Sequence, residues 1–433
     1  MKILFKNAIV LTPDGSYIND ASVATDNEKI TYVGTDYKGD CDRVIDCGGK
    51  LLTPAFYNAH CHAAMTLFRG IGEDLPLQRW LEEKIYPAED RLTPESVRVG
   101  SELAIAEMIR GGVVSFSDMY FFCDETAKAV LDLGVKANIG RCLVAFSDDA
   151  TIKGDTRFEE AVRLADEFHG AGDGRVRIDM SVHAEYTTRE RYLREVAEYT
   201  HSRDLGMQVH VSETKSEHEA CMERHGGKTP VKYLTDCGIL VPSKTATAAA
   251  AHCVWVTESD MALMAENKVT AVHNPVSNLK LASGVAPVRA MLDNGVNVAL
   301  GTDGAASNNA LSVLRELQCA ALIHKGVNYK ADIIKTADIC KMAWEAGAAA
   351  QARYDCGRIE VGARADIILI DLDSLNNIPM YDPYSSVAFS ANERDVYLTM
   401  CDGKILFENG EFKTVDVEKL RCNAKHIIAH YFD

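Results

Sequence analysis

Two histidines stand two residues apart in the segment N-A-H-C-H at residues 58–62. The segment ends a run of apolar and aromatic residues typical of a strand, and side chains at i and i+2 of a strand point to the same side. His60 and His62 can therefore hold one divalent metal ion between their imidazoles. An H-x-H pair alone is a weak signal, because structural histidines are common. Its position at a strand end makes it stronger.

Other predicted strands end in polar residues of the same kind. The motifs V-H-A, V-H-V-S-E-T, A-H-C and G-T-D-G close four of them, and they contain His183, His210, Glu213, His252 and Asp303. In a barrel of parallel strands these ends meet on one face, where barrel active sites lie. We therefore expect these side chains to lie close together.

Three neutral imidazoles and one carboxylate suit a catalytic zinc ion, which keeps one position open for water. The list of predicted ligands is His60, His62, His210 and Asp303. The sequence thus predicts one divalent metal ion as cofactor, with zinc as the expected metal, although the same donors also accept iron, manganese or cobalt. Glu213, three residues after His210, suits a general acid and base near the reacting group. His252 and Asp303 are expected to hold the attacking water and take its proton.

The elements that must position these residues form an alternating series. Between residues 54 and about 350, eight short apolar or β-branched runs alternate with helical stretches, which is typical of a closed (β/α)₈ barrel. An open doubly wound sheet is the alternative, but its glycine-rich phosphate loop is not found. We predict a (β/α)₈ barrel over residues 54–352. A small β-sandwich module is predicted from residues 1–53 together with residues 353–433, which end in a helix.

Composition excludes several classes of protein. The chain has 433 residues, 47% of them hydrophobic and 25% charged, and its formal net charge is −17. This charge argues against nucleic-acid binding and against a basic membrane-surface protein. No run of about 18 apolar residues predicts a membrane span, and the N-terminus does not resemble a signal peptide. The thirteen scattered cysteines favour free thiols in a reducing cytoplasm. The choice between monomer and homo-oligomer stays open.

Taken in order, H-x-H, the His with a Glu three residues later, A-H-C and G-T-D resemble the pattern of the amidohydrolase superfamily. The segments NAHCHAAMTLFRG, HNPVSNLKLASG and GTDGAASNN are similar to the subgroup that deaminates aminated purines and triazines. The match is close to the 5-methylthioadenosine/S-adenosylhomocysteine deaminases. The resemblance implies a distorted (β/α)₈ barrel with a mononuclear metal site, and an adenine nucleoside as small-molecule substrate. It also implies hydrolytic deamination at C6 of the ring to the inosyl product and ammonia.

The resemblance also implies roles for residues outside the ligand set. Glu89 resembles the glutamate that binds the ribose hydroxyls, and His183 resembles a histidine that contacts the purine. Arg141 and Arg157 resemble arginines that receive the amino-acid carboxylate of S-adenosylhomocysteine, since a guanidinium fork matches a carboxylate. Trp80 resembles an aromatic residue near the nucleoside pocket.

Two alternatives stay open at this point. One is a deaminase or chlorohydrolase of another amino-heterocycle, such as guanine, a pterin or a triazine. The other is a barrel that has lost its metal and become a binding protein, although every predicted ligand is present. The sequence does not rank methylthioadenosine, S-adenosylhomocysteine, adenosine and 5′-deoxyadenosine as substrates. The remaining histidines, among them His218, His225 and His324, are expected at the surface.

Overall fold

The strands form two separate sheets, described over residues 1–12 and 14–431 of a computed structural model. Within those residues the strands are β1 (Lys2–Leu11), β2 (Tyr17–Asp26), β3 (Lys29–Gly34), β4 (Arg43–Asp46), β5 (Leu51–Pro54), β6 (Phe56–Cys61), β7 (Val113–Tyr120), β8 (Lys136–Leu143), β9 (Val176–Ala184), β10 (Gly206–Val211), β11 (Ala248–His252), β12 (Thr270–His273), β13 (Asn297–Leu300), β14 (Ile367–Ile370), β15 (Val396–Cys401), β16 (Lys404–Glu408) and β17 (Glu411–Phe412).

The predicted barrel is confirmed. In the described part of the chain, strands β6 to β13 form an eight-stranded parallel sheet in which each strand pairs with the next. The sheet nearly closes where the amide of Asp303 donates to the carbonyl of His60 (3.0 Å). Most residues of these strands are buried, as expected for parallel strands covered by helices. Their carboxyl ends therefore converge on one mouth.

The second sheet is built from both ends of the chain, as the sequence predicts. The order of the strands along it is β17-β16-β15-β14-β5-β1-β2-β3, and β4 pairs with β1. The join is antiparallel, with β14 from the C-terminal part paired to β5 from the N-terminal part. The two sheets meet just before the H-x-H segment. Residues 51–54 (β5) belong to this second sheet, and Phe56–Cys61 (β6) is the first strand of the barrel.

The helices connect the barrel strands and cover them. In the described residues they are α1 (Leu77–Trp80), α2 (Tyr86–Glu89), α3 (Pro94–Arg110), α4 (Cys123–Leu133), α5 (Thr156–Phe168), α6 (Ala171–Gly174), α7 (Glu190–Arg203), α8 (Lys215–Arg224), α9 (Pro230–Asp236), α10 (Glu258–Glu266), α11 (Pro275–Lys280), α12 (Val288–Asp293), α13 (Ala305–Asn308), α14 (Val313–Val327), α15 (Thr336–Ala343), α16 (Glu345–Ala350), α17 (Pro383–Ser385) and α18 (Val417–Tyr431). Among these residues no helix is both long and apolar enough to cross a membrane. The predicted terminal helix is α18.

Two histidines expected at the surface are buried instead. His218 lies against the Ser212 hydroxyl (Nδ1 to Oγ, 3.1 Å), and His324 contacts His273 through the two Nε2 atoms (3.1 Å). His225 is half-buried and lies 2.7 Å from a carboxylate oxygen of Glu185. The partners of His324 and His225 are distant in sequence, so local patterns do not reveal this burial.

A buried ion pair joins the two sheets. The ammonium of Lys136, at the start of β8, lies 2.5 Å from Asp366 and 2.8 Å from Asp402. Tyr57, on the first barrel strand, donates its hydroxyl to the same Asp366 carboxylate. Burial opposes the charge on Lys136, but the attraction of Asp366 and Asp402 outweighs it and raises the pKa of the amine. The charge therefore stays inside the protein only while its partners are in place.

We expect Lys136→Met to lower the free energy of unfolding by about 3–5 kcal/mol, because it leaves the Asp366 carboxylate buried without its cation. Chemical denaturation of the two proteins measures the difference. Lys128→Met is the matched control, because Lys128 makes only surface ion pairs on α4, each contributing less than about 1 kcal/mol. Equal losses in the two variants would contradict a structural role for the buried pair.

Candidate functional site

The predicted metal ligands meet at the carboxyl ends of the barrel strands. The Nε2 atoms of His60 and His62 lie 3.6 and 3.1 Å from the Oδ1 atom of Asp303. His210, on β10, brings its Nε2 to 3.4 Å from that of His62. His252, at the end of β11, groups with His60 and His210 so that their ring nitrogens lie within 4.8 Å of one another. The structure thus brings all four predicted ligands and His252 together.

The protonation of these rings fits a metal ion. The Nδ1 atom of His62 lies 2.6 Å from the Met119 carbonyl, and that of His210 lies 2.7 Å from the His183 carbonyl. A carbonyl only accepts hydrogen bonds, so each Nδ1 carries the proton and each Nε2 presents its lone pair to the cluster. The buried Nε2 of His60 has no hydrogen-bond partner among the described residues. The donor set therefore suits a divalent cation such as zinc.

Two serines orient the carboxylate of the set. Ser277 and Ser307 donate their hydroxyls to the Oδ2 atom of Asp303 at 2.6 and 2.7 Å, which leaves Oδ1 facing the histidines. Burial alone would raise the pKa of Asp303, but the adjacent imidazoles of His60, His62 and His252 hold it well below its usual range. The carboxylate is thus ionised and fixed in one orientation.

Glu213 and His252 form a pair beside this cluster. Their Oε2 and Nε2 atoms are 3.8 Å apart, and Ser283 donates to the other Glu213 oxygen at 3.3 Å. The Nδ1 of His252 donates to the amide oxygen of Asn278 (2.9 Å), so its Nε2 is free to accept a proton. Burial raises the pKa of Glu213. A buried carboxyl group with a raised pKa beside a basic imidazole is suited to general acid and base catalysis.

Local structure fixes Glu213 at this place. Helix α8 begins directly after it, with Thr214 as the N-cap. The Thr214 hydroxyl accepts from the Glu217 amide (3.1 Å). The Glu217 carboxylate in turn accepts from the amides of Ser212 (3.0 Å) and Glu213 (2.7 Å). This reciprocal cap holds the backbone on both sides of Glu213.

The backbone is strained at the same strand ends. Ser212, His252, Cys253 and Asp303 have φ angles of 49°, 72°, 49° and 60°, a region that residues other than glycine rarely adopt. Each such residue costs on the order of 1–3 kcal/mol and persists only where the surrounding structure imposes it. Three of the barrel strands are followed by this conformation, which turns site residues toward the mouth.

One cavity of about 630 Å³ opens from the cluster toward solvent. Ten of the eleven predicted site residues line it, and His60 alone is not in its wall. The ten are His62, Trp80, Glu89, Arg141, Arg157, His183, His210, Glu213, His252 and Asp303. The structure thus gathers metal-binding, acid–base and substrate-contacting candidates around a single space large enough for a small molecule.

A model of the amidohydrolase family matches residues 51–406. The chain belongs to the amidohydrolase family. A 5′-deoxyadenosine deaminase of Methanosarcina acetivorans is 41% identical over 433 residues, covering 99% of this chain and 98% of that protein. A 5-methylthioadenosine/S-adenosylhomocysteine deaminase of Thermoanaerobacter pseudethanolicus is 41% identical over 98% of both chains. A zinc-bound adenosine deaminase of Xanthomonas campestris superposes with a TM-score of 0.92 at 32% identity, covering 98% and 97% of the two chains.

In this amidohydrolase the predicted substrate contacts have partners of their own. Burial raises the pKa of Glu89 to about 7, and a hydrogen bond with Tyr120 opposes that shift. His183 contacts Thr187 (Nδ1 to Oγ1, 3.2 Å), and burial lowers the pKa of its imidazole to about 4, so the ring is neutral. The Trp80 indole donates to the Ile71 carbonyl (3.3 Å), which fixes this side of the cavity.

The two predicted carboxylate-binding arginines are paired within the protein. Arg141 donates from Nε to Glu160 (2.8 Å) and from Nη1 to the Cys142 carbonyl (2.6 Å). Arg157 donates from Nε and Nη2 to the two carboxylate oxygens of Asp155 (3.0 and 2.9 Å). Their role toward a substrate stays a prediction.

Sequence reasoning missed several residues of this amidohydrolase site. The acceptors and donors Tyr120, Glu160, Ser277, Asn278, Ser283 and Ser307 were not singled out. Four of them lie in the family-like segments HNPVSNLKLASG and GTDGAASNN, so those segments held the available signal. Tyr120 and Glu160 carry no such signal, because their role depends on contacts with residues distant in sequence.

Replacing His62 by alanine is expected to weaken zinc binding by at least about a hundredfold, because even partners that only orient a ligand contribute 10–100-fold to metal affinity. Equilibrium dialysis followed by elemental analysis gives the metal content directly, without reference to activity. His426→Ala serves as control, since His426 is exposed on the C-terminal helix. Full zinc occupancy of the His62 variant under limiting zinc would rule out His62 as a ligand.

Proposed function

We propose that this amidohydrolase is a zinc-dependent deaminase of adenine nucleosides, including 5-methylthioadenosine, S-adenosylhomocysteine and 5′-deoxyadenosine. The reaction consumes one water, breaks the bond between C6 and its amino nitrogen, and releases the inosyl product and ammonia. One observation carries the proposal: a single cavity joins the metal-ligand cluster and the Glu213–His252 pair to Glu89 and Arg141. The names and the 41% identity of the nearly full-length relatives support it.

We assign the metal ion to His60, His62, His210 and Asp303. A divalent ion at such a site acts as a Lewis acid and lowers the pKa of water for attack at neutral pH. Three neutral imidazole nitrogens and one ionised carboxylate oxygen leave a net positive charge on a divalent ion, which favours this chemistry. The described residues around the cluster exclude most solvent, since His60 is only 2% exposed and His252 equally so.

Glu213 carries the proton that activates the ring. In its acid form it donates to N1 of the adenine, which draws electron density from C6 and makes that carbon more electrophilic. The raised pKa of this buried carboxyl group favours its acid form. Once C6 has been attacked, the same carboxyl group passes protons toward the departing amino group.

His252 and Asp303 take the proton that the attacking water loses. Asn278 keeps the Nδ1–H of His252 occupied, so Nε2 is the basic atom and faces Glu213. Proton movement between His252 and Glu213 then needs little rearrangement, because the two side chains are only 3.8 Å apart. Ammonia leaves after its nitrogen has been protonated.

Glu89 and His183 place the substrate. A carboxylate accepts hydrogen bonds from both hydroxyls of a ribose, so Glu89 is suited to a nucleoside rather than a free base. The neutral imidazole of His183 lies 4.9 Å from that of His210, measured between ring centroids, and borders the space for the purine. Trp80 closes the wall near the sugar.

We also propose that the enzyme acts in the cytoplasm and does not bind nucleic acid. All thirteen cysteines are free thiols, which suits a reducing compartment. The formal net charge of −17 disfavours a polyanionic partner.

The purified zinc-loaded protein is expected to deaminate adenosine, 5-methylthioadenosine and 5′-deoxyadenosine, because all three present an adenine and a ribose diol. The ultraviolet change from adenine to hypoxanthine follows the reaction. Glu213→Gln is expected to lower kcat by about a hundredfold or more while zinc stays bound, since a general acid contributes 10²–10⁴-fold. Glu223→Gln, on the exposed face of α8, is the matched control.

Two results would overturn this assignment. Deamination of guanine, a pterin or a triazine with no reaction of any adenine nucleoside would place the enzyme in a different substrate class. Undiminished turnover by the Glu213 variant would remove Glu213 from the mechanism.

Ribose binding is expected to strengthen with pH. Glu89 must be ionised to accept from two hydroxyls, and its pKa is raised to about 7 by burial and by Asp90, against the opposing effects of Tyr120 and His62. KM for adenosine should therefore fall several-fold between about pH 6 and about pH 8. Steady-state kinetics with 2′,3′-dideoxyadenosine provide the control, because that substrate lacks both hydroxyls. The same pH dependence in a Glu89→Gln variant would contradict this role.

A further inference from the structure

Two arginines in the wall of the cavity form ion pairs with carboxylates of the protein. Arg141, on β8, pairs with Glu160 of α5, and Arg157, at the start of α5, pairs with Asp155. Arg157 uses two adjacent nitrogens on both oxygens of Asp155, which is the fork geometry that would otherwise grip a carboxylate. Tyr192 donates to the same Asp155 carboxylate (3.0 Å) and keeps it in place.

These pairs lie at the end of the cavity that would receive the 5′ substituent. Glu89 is within electrostatic range of His62 at the metal-ligand cluster. Tyr120, also in the cavity wall, lies with its ring centroid 6.1 Å from that of His62 and pairs with Arg141 in the register of β7 and β8. In the proposed binding mode, with the base at the cluster and the ribose at Glu89, the 5′ carbon is directed toward Arg141 and Arg157.

The side chains around this end do not provide an excess of positive charge. Each of the two guanidinium groups is already paired with a carboxylate, Arg141 with Glu160 and Arg157 with Asp155. Apolar side chains also line the cavity, namely Phe121, Phe122, Val144 and Phe146. The Arg141 guanidinium lies 5.0 Å from the Phe121 ring centroid. Such a surface suits an uncharged substituent.

We propose that Glu160 is a specificity-determining residue that selects adenine nucleosides with an uncharged 5′ group over those that carry a carboxylate there. The inference rests on the proposed deaminase function and narrows its substrate class. The Glu160 carboxylate neutralises the Arg141 guanidinium, so the protein itself supplies the counterion. The Glu160 side chain lies in the cavity wall and is 44% exposed. A substrate carboxylate that approached Arg141 would meet the Glu160 carboxylate at close range, and like charges at such distances oppose binding.

The test compares kcat/KM for S-adenosylhomocysteine with that for 5′-butylthioadenosine, an uncharged thioether of similar reach. In Glu160→Gln the ratio of the two is expected to rise by about fivefold, the scale of a partly exposed charge interaction. Glu159→Gln is the matched control, because Glu159 precedes Glu160 on α5 and is exposed outside the cavity wall. Its ratio should equal that of the unmodified enzyme.

A second measurement varies the ionic strength. Added salt screens repulsion between charges, so the ratio for the unmodified enzyme should rise with ionic strength, and that for Glu160→Gln should rise less. An unchanged ratio in Glu160→Gln overturns the proposal. So does a lowered ratio, which would assign Glu160 to the ammonium group of the amino-acid substituent. These results differ from failure of the proposed function, in which the unmodified enzyme deaminates neither nucleoside.

Discussion

The site depends on one constraint: a cluster of buried imidazoles at the barrel mouth must be kept in a fixed orientation without help from water. Several imidazole rings whose Nε2 lone pairs point at one place would repel one another or rotate. A hydrogen bond at the opposite nitrogen, Nδ1, prevents this. The carbonyl of Met119 on β7 holds His62, which directly follows β6, and the carbonyl of His183 on β9 holds His210 of β10. The neighbouring strand thus fixes each ring, and the pairing register of the barrel becomes a condition for metal binding.

The register shows how the barrel meets this condition. The pairing of β9 and β10 shifts at His210, and that of β6 and β7 shifts between Asn58 and Cys61, around His60. Such irregularities re-aim side chains locally without interrupting the sheet. Together with the left-handed backbone at His252 and Asp303, they turn ligands inward at the ends of otherwise regular strands. The barrel interior supplies the packing that holds these costly conformations.

Much of this arrangement was predictable from sequence because it follows from periodicity. A strand end is visible locally, and parallel strands in a barrel must bring their ends together, so the ligands and Glu213 could be grouped before any contact was known. The partners of those residues were not visible in the same way. Ser277 orients Asp303 across 26 positions, and Glu160 pairs with Arg141 across 19. Such pairings depend on packing between elements, for which a single sequence has no local pattern.

The ion pair between the two sheets has a consequence for the order in which the chain can be completed. Lys136 belongs to an early barrel strand, but Asp366 follows it by 230 residues, after the last barrel strand. While the protein is synthesised from its N-terminus, the barrel strands leave the ribosome before the carboxylate that neutralises this amine. A nascent barrel therefore carries an unpaired cation at its base. The buried amine of Lys136 therefore obtains its counterions only from the C-terminal part of the chain.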